Sequence, residues 1–281
     1  MEKKNAHAMI LAIFVVGLIT AAILWDNPQS AELGMLQTSM RELKRVDNLE
    51  YSYVTTVRSA GTVTGDEITV WSDQLSGCWI SEHYKIDEDG RRLYLKQFCD
   101  GVRVYNYIEW TGEWELQSTK SVDAPYMDQI LSIPYEDEDI LELTRIEDEA
   151  GQTLSFVFTP EYIDEQNESR KDTVEKAYQD YMKMAGEEAQ TNEMVMTMEQ
   201  YMRTRQKDIA VTYQINAEGV LMGMQCTMTV IQPELIYNTN EELMIGKERE
   251  SGYEIVVTVN RYNQQGTLNK LEQCKNEILY Q

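Results

Sequence analysis

Strict alternation of apolar and polar residues is the strongest signal in this chain. In IAVTYQINAEGVLMGMQCTMTVI, residues 209–231, Ile209, Val211, Tyr213 and Ile215 point one way, and Ala210, Thr212, Gln214 and Asn216 the other. After the turn at Glu218 and Gly219 the apolar set becomes Val220, Met222, Met224, Cys226, Met228 and Val230. A period of two predicts a hairpin with one face hidden from water. Its opposite side carries Gly223, Gln225, Thr227 and Thr229, so the methionine side is the buried one.

The same texture recurs from Tyr51 to about Gln117. YSYVTTV, EITVWSD, CWISEHYKI, RLYLKQF, VRVYNYIEW and EWELQ are separated by glycine-bearing turns. Connections this short predict an antiparallel meander. DILELTRIEDEAGQTLSFVFTP predicts a further strand pair and YEIVVTVNRY a late strand. TLNKLEQCKNEILY suits either an edge strand or a short helix, and PELIYNTNEELMIGKERESG reads as a surface loop or flap.

A period near 3.6 appears in three other places. Leu33, Leu36, Met40 and Leu43 predict an amphipathic helix capped by Ser30. DAPYMDQILSIP predicts a short helix stopped at Pro134. The polar, proline-free stretch from Asp164 to Gln206 predicts a long helix, bent or broken between Gly186 and Asn192. Its stripes are Val174, Tyr178, Tyr181 and Ala185, then Met194, Met198 and Tyr201, with Met182, Met184, Met196 and Met202 beside them. A twisted sheet of many strands curls, and a methionine-bearing helix over its open side either fills it or covers a cavity.

The first residues change the picture. An uncharged run, Ala8 to Trp25, follows Lys3 and Lys4 and precedes Asp26, the pattern of a single membrane-spanning helix with its N-terminus in the cytoplasm. A cleaved signal peptide is the competing reading. Cleavage after Ala22 leaves Ile23, Leu24 and Trp25 at the new terminus, so the uncleaved anchor is preferred. The expected organisation is a cytoplasmic tail at 1–7, an anchor at 8–25 and an extracytoplasmic domain at 26–281.

Charge then narrows the partners. The 281 residues carry 25 Lys and Arg against 48 Asp and Glu, a net of −23, which argues against nucleic acid and anionic membrane surfaces. Export gives the four cysteines meaning, because disulfides persist outside the cytoplasm. Cys78 and Cys99 flank an Asp-Glu-Asp-Gly turn. With Glu88 and Asp89 central the two face each other; with an Asp89-Gly90 turn they lie diagonally. A bridge between them and a pair of small buried thiols both fit.

Little else suggests chemistry. His7 falls in the tail and His83 in mid-strand, where a partly exposed structural histidine is expected, so no triad or histidine metal cluster can form outside. No phosphate loop or nucleophile elbow occurs. YEDEDILELTRIEDE lacks the alternating ligands and central glycine of a calcium loop and reads as a solvated acidic face. The expectation is a protein that is no enzyme and holds no metal or cofactor.

The order of these elements, with YKIDEDGRRLYLKQFCDGVRVYNY, TGEWELQ and VTYQINAEGVLMGMQCTMTV, resembles the LolA- and LppX-like extracytoplasmic lipoprotein carriers, most of all their uncharacterised Gram-positive relatives. The resemblance spans roughly residues 32–280. It implies an α+β fold, a strongly curved antiparallel half-barrel of about ten strands wrapped around helices, with acyl chains between them. Met222, Met224, Met228, Met194, Met198 and Tyr201 are then the expected lining. The chain departs from the family in its lack of a lipid-modified N-terminal cysteine, its long polar helical region and its fixed anchor. Two functions follow: a membrane-tethered module that takes a lipid or other hydrophobic ligand, or a surface sensor or scaffold with a packed interior that binds a protein through its acidic face.

Overall fold

The computed structural model describes residues 30–59, 61–120, 122–127, 135–185, 192–237 and 243–280. The predicted tail and anchor, most of the DAPYMDQILSIP helix and the 186–191 break lie outside them. Among the described residues no helix is long and apolar enough to cross a membrane.

Eleven strands form one open antiparallel sheet. Helix α1 (Ala31–Leu43) leads into β1 (Asn48–Ser59), β2 (Thr62–Asp73), β3 (Cys78–Asp87), β4 (Gly90–Asp100), β5 (Val104–Ile108) and β6 (Glu113–Ser118). The second half runs β7 (Ile140–Asp148), β8 (Gly151–Phe158), α2 (Pro160–Ala185), α3 (Asn192–Arg203), β9 (Arg205–Asn216), β10 (Leu221–Tyr237), β11 (Leu243–Tyr262) and α4 (Gln265–Leu279). The spatial order β6-β5-β4-β3-β2-β1-β11-β10-β9-β8-β7 is two meanders joined by β1 against β11. That join pairs Tyr53 with Val257, partners brought together only by the tertiary fold.

Local chemistry explains the boundaries. Ser30 Oγ accepts the Leu33 N–H at 3.3 Å and caps α1, whose Leu33, Leu36, Met40 and Leu43 are buried. Helix α2 starts at Pro160, where a missing N–H costs nothing, and Thr159 Oγ1 accepts the Tyr162 N–H at 3.2 Å. The expected flap is instead the distal arm of the β10–β11 hairpin. Leu235, Ile236 and Tyr237 pair with Ile245, Met244 and Leu243 beyond a bulge at Glu234. The C-terminal segment is helical, and its Leu271 and Cys274 pack on Ile80, Phe98, Tyr105 and Trp114.

One row of side chains crosses the sheet on the opposite face: His83, Ile68, Tyr53, Val257, Met224, Tyr213 and Leu154. Around it lies the main core, roofed by α1, by Tyr135 and by Tyr162 and Ile163 of α2.

The cysteine pairing is corrected. The turn is centred on Glu88 and Asp89, the geometry that alone would set Cys78 opposite Cys99, but Tyr94 bulges out and shifts the ladder by one residue. Cys78 faces Asp100 and Cys99 faces Trp79, so the two sulfurs project from opposite faces of the sheet. All four cysteines are free thiols. Burial pushes the Cys226 thiol up to about 12 and the Cys274 thiol up to about 11. Titration under denaturing, non-reducing conditions is expected to find four sulfhydryls, with Cys78 reacting before the buried thiols in the native protein; two sulfhydryls would contradict the bulge.

Candidate functional site

The methionine strand faces inward as its alternation requires. Met224 and Met228 are buried, Cys226 is half-buried, and Val230 is fully buried. Met222 departs from this pattern: it is the extra residue of a bulge between Leu221 and Gly223, so Leu221 is buried beside it and Met222 is half-exposed. The Met222 sulfur accepts from Asn216 Nδ2 at 3.6 Å.

Helix α3 lies over β10 and β11, the strands that carry this floor. Its position is fixed chiefly from its C-terminal end. Arg170 of α2 donates to the Tyr201 carbonyl at 2.6 Å and to the Thr204 carbonyl, and Gln200 Nε2 reaches the Pro233 carbonyl at 2.6 Å. Asn167 adds a two-way amide clasp, donating to the Gln206 carbonyl at 2.9 Å and accepting the Gln206 N–H at 2.7 Å. The two Arg170 bonds satisfy carbonyls that the end of α3 leaves bare, and the others tie α3 to β10 and α2 to β9.

The apolar side of α3 is less committed. From Met194 to Met202 every residue is half-buried and none fully so, although Met194, Met198 and Tyr201 stand at helical spacing. Burial, and secondarily Tyr253, pushes the Tyr201 hydroxyl up to about 12. Beneath this region Val230 pairs with Ser251 on one side and Gln206 on the other. Ser251 Oγ and Gln206 Oε1 are buried with no hydrogen-bond partner among the described residues. Such atoms are ones that an ordered water satisfies in a native interior.

Away from α3 the interior is filled. Tyr135, Phe156, Phe158, Tyr162 and Tyr213 form an aromatic cluster with centroids 4.7–6.4 Å apart, and Tyr135 donates to the Tyr213 hydroxyl at 2.8 Å. A cleft of about 490 Å³ opens between α1 and the turns at Gly151 and Gly219, lined by Met35, Thr38, Gln152 and Asn216. None of the six expected lining residues borders it.

The structure also corrects the reading of His83. It is buried, 8% exposed, and its Nε2 lies 2.9 Å from Ser81 Oγ, with the Tyr94 ring edge-on at 6.1 Å. Period-two spacing places Ser81 and His83 on one face, but burial of that face comes from the fold and leaves no mark in the sequence. Burial lowers its pKa to about 4, so at neutral pH the ring is uncharged. The unfolded chain binds a proton near 6.5 that the folded chain refuses until about 4, so stability contributed above 6.5 is lost as pH falls through that window. Urea unfolding is expected to show about 2 kcal/mol less stability from this group at pH 5 than at pH 7. In His83→Gln that part of the slope should vanish; an unchanged slope would contradict the buried neutral ring.

No protein-family description and no curated protein matches the sequence. Solved structures do. The chain is similar to the lipoprotein LppX of Mycobacterium tuberculosis, with 9% identity, 83% of this chain and 96% of that one covered, and a TM-score of 0.36. It is similar to an uncharacterised conserved protein of Thermus thermophilus at 7% identity, covering 84% and 88% of the two chains with a TM-score of 0.29. A DUF1329 family protein of Desulfovibrio piger follows at 9% identity, 84% and 95% coverage and a TM-score of 0.27. Likenesses this distant say nothing about what this chain binds.

Proposed function

We propose that this chain is an exported, membrane-tethered binding module of LolA/LppX-like kind, whose sheet and α3 together accommodate a lipid acyl chain or another hydrophobic molecule. The observation that carries this reading is α3: a methionine-rich helix that rests on the sheet and yet leaves every residue from Met194 to Met202 partly exposed. A helix whose apolar side is left half-wet gains by covering more apolar surface, at about 0.8 kcal/mol per methylene removed from water. Methionine suits an occupant of variable shape, since its thioether side chain repacks at little cost. The Arg170 and Asn167 clasps hold the far end while the apolar side adapts, and Ser251 and Gln206 offer polar atoms to whatever enters. Met224 and Met228 are the floor, and Met194, Met198 and Tyr201 the cover. The anchor at 8–25 and an extracytoplasmic position belong to this reading, as does the lack of an enzymatic role.

The filled aromatic half of the interior favours the second reading, a packed sensor or scaffold. Extraction of the purified chain with organic solvent, followed by mass spectrometry, separates the two. The binding module yields stoichiometric lipid or, once stripped, takes up a lipophilic fluorophore that lipid displaces. A chain that carries nothing and leaves the fluorophore dark is a scaffold.

A further inference from the structure

Strand β7 is one of the two edges of the sheet. Among the described residues β7 pairs with β8 alone, so along nine residues one row of backbone N–H and C=O groups is left without a strand partner there. Proteins blunt such edges with proline, a covering segment, extreme shortness, a bulge or charge. Strand β7 carries the last two, a bulge at Leu141 and the carboxylates of Glu142, Glu147 and Asp148, which disfavour a like-charged strand. Strand β7 has no proline, and residues 141–148 are exposed on both faces of the sheet. Its apolar side chains are exposed too: Leu141 by 58%, Ile146 by 59% and Leu143 by 37%. Leu143 shares a face with Phe156 and Ile146 lies on the other face beside Thr153, so an added strand would find an apolar neighbour on each side.

Charge selects the occupant. Between residues 136 and 149 the chain has eight carboxylates and one cation, Arg145, which is already paired with Glu147 at 2.9 Å. A second copy of the chain would bring the same acids to the same edge and be repelled. An extended segment alternating basic and apolar residues sets its apolar side over the face of Leu143 and its cations over the other face, which carries Glu142 and Asp148. We propose that β7 is a docking strand for an extended cationic peptide segment of another protein, which joins the sheet as a twelfth strand. The observations concern the edge strand β7, three places along the sheet from β10, and do not depend on the lipid reading.

The test uses the full chain and a fluorescein-labelled nonapeptide alternating lysine and valine, followed by anisotropy. Saturable binding is expected, weakened about tenfold by Glu142→Lys with Glu147→Lys and unaffected by Glu272→Lys with Glu277→Lys on α4. Backbone pairing gives the sharper criterion. An added strand uses only one of its two edges, so N-methylation of every second amide should abolish binding in one register and spare it in the other. Equal binding of both methylated peptides, or binding insensitive to the β7 charges, overturns the proposal, as does no binding at low salt. So does a dimer in sedimentation that Ile146→Lys disperses, because it would make a second copy the occupant.

Discussion

Gly151→Ala is expected to destabilise the chain by roughly 3 kcal/mol, combining a strained backbone with an overpacked contact. Gly151 opens β8 at φ +144°, and a Cβ there would lie 2.0 Å from the Ile215 carbonyl oxygen and 2.8 Å from the Asn216 backbone. Neither neighbour is a flexible side chain that could step aside. The residue pairs with Asn216 where the β7–β8 turn abuts β9, and Ala217 N–H donates to the Ala150 carbonyl at 3.1 Å in the same place. Any relief must therefore pull the β7–β8 hairpin off the sheet. Gly219→Ala is the control: its φ is +81°, but nothing lies within 4 Å of the added carbon, so only the conformational cost of about 1 kcal/mol remains. Equal losses for the two variants in urea unfolding would mean that the close approach at Gly151 does not exist.

This contact also shows where the sequence stops being legible. The turns at Gly151 and Gly219 can be read from strand alternation, but their collision depends on β8 lying beside β9, a tertiary fact. Strand identities survive because alternation is local: Tyr51, Tyr53, Ile209, Val211, Tyr213, Met224 and Met228 all face the core, as their period demands. Registers survive less well. The ladder from β3 to β4 slips by one at Tyr94, and no pattern announces it because both faces there are apolar. Phe98 and Ile80 pack beneath α4, while Cys99 and Trp79 pack on the other side. Where both faces are buried, a one-residue slip carries no signature in hydrophobicity, and the disulfide expectation fails for that reason. The bulge at Met222 repeats the lesson on a smaller scale: Leu221, assigned to the wet face by simple alternation, is fully buried.

The expected site is legible in a similar way, strand by strand but not across its cover. Met224 and Met228 follow from the period of β10, and the stripe of Met194, Met198 and Tyr201 from that of α3. What the sequence does not convey is the incompleteness of their meeting. Helical spacing predicts a buried stripe, yet α3 leaves every residue from Met194 to Met202 partly exposed. The polar clasp from α2 that holds it, Arg170 and Asn167, sits within a stretch so rich in charge that neither residue stands out.

Met224 lies at the centre of that question and gives the second large effect. Met224→Ala is expected to lower stability by about 2–4 kcal/mol, the range for deleting a buried methionine from a packed site. Its side chain is 9% exposed, flanked by Val257 on β11 and Tyr213 on β10's other neighbour β9, both buried, so little can collapse into the space left behind. Met198→Ala, on the half-buried side of α3, removes the same atoms and should cost less than Met224→Ala, because part of that side chain is already in water. The two variants should then separate in the opposite order when fluorophore uptake by the delipidated chain is measured. Met198→Ala should change uptake severalfold, while Met224→Ala, once corrected for the fraction folded, should change it less. Met224→Trp adds a further criterion. In a filled floor the larger ring forces its neighbours apart and destabilises by about 1–3 kcal/mol, whereas in a floor bordering open space it is accommodated and uptake falls instead. Destabilisation by Met224→Trp with uptake intact would place the ligand against α3 and the distal part of β10 rather than against Met224. Loss of uptake without destabilisation would extend the site along the strand, past Cys226 to Met224.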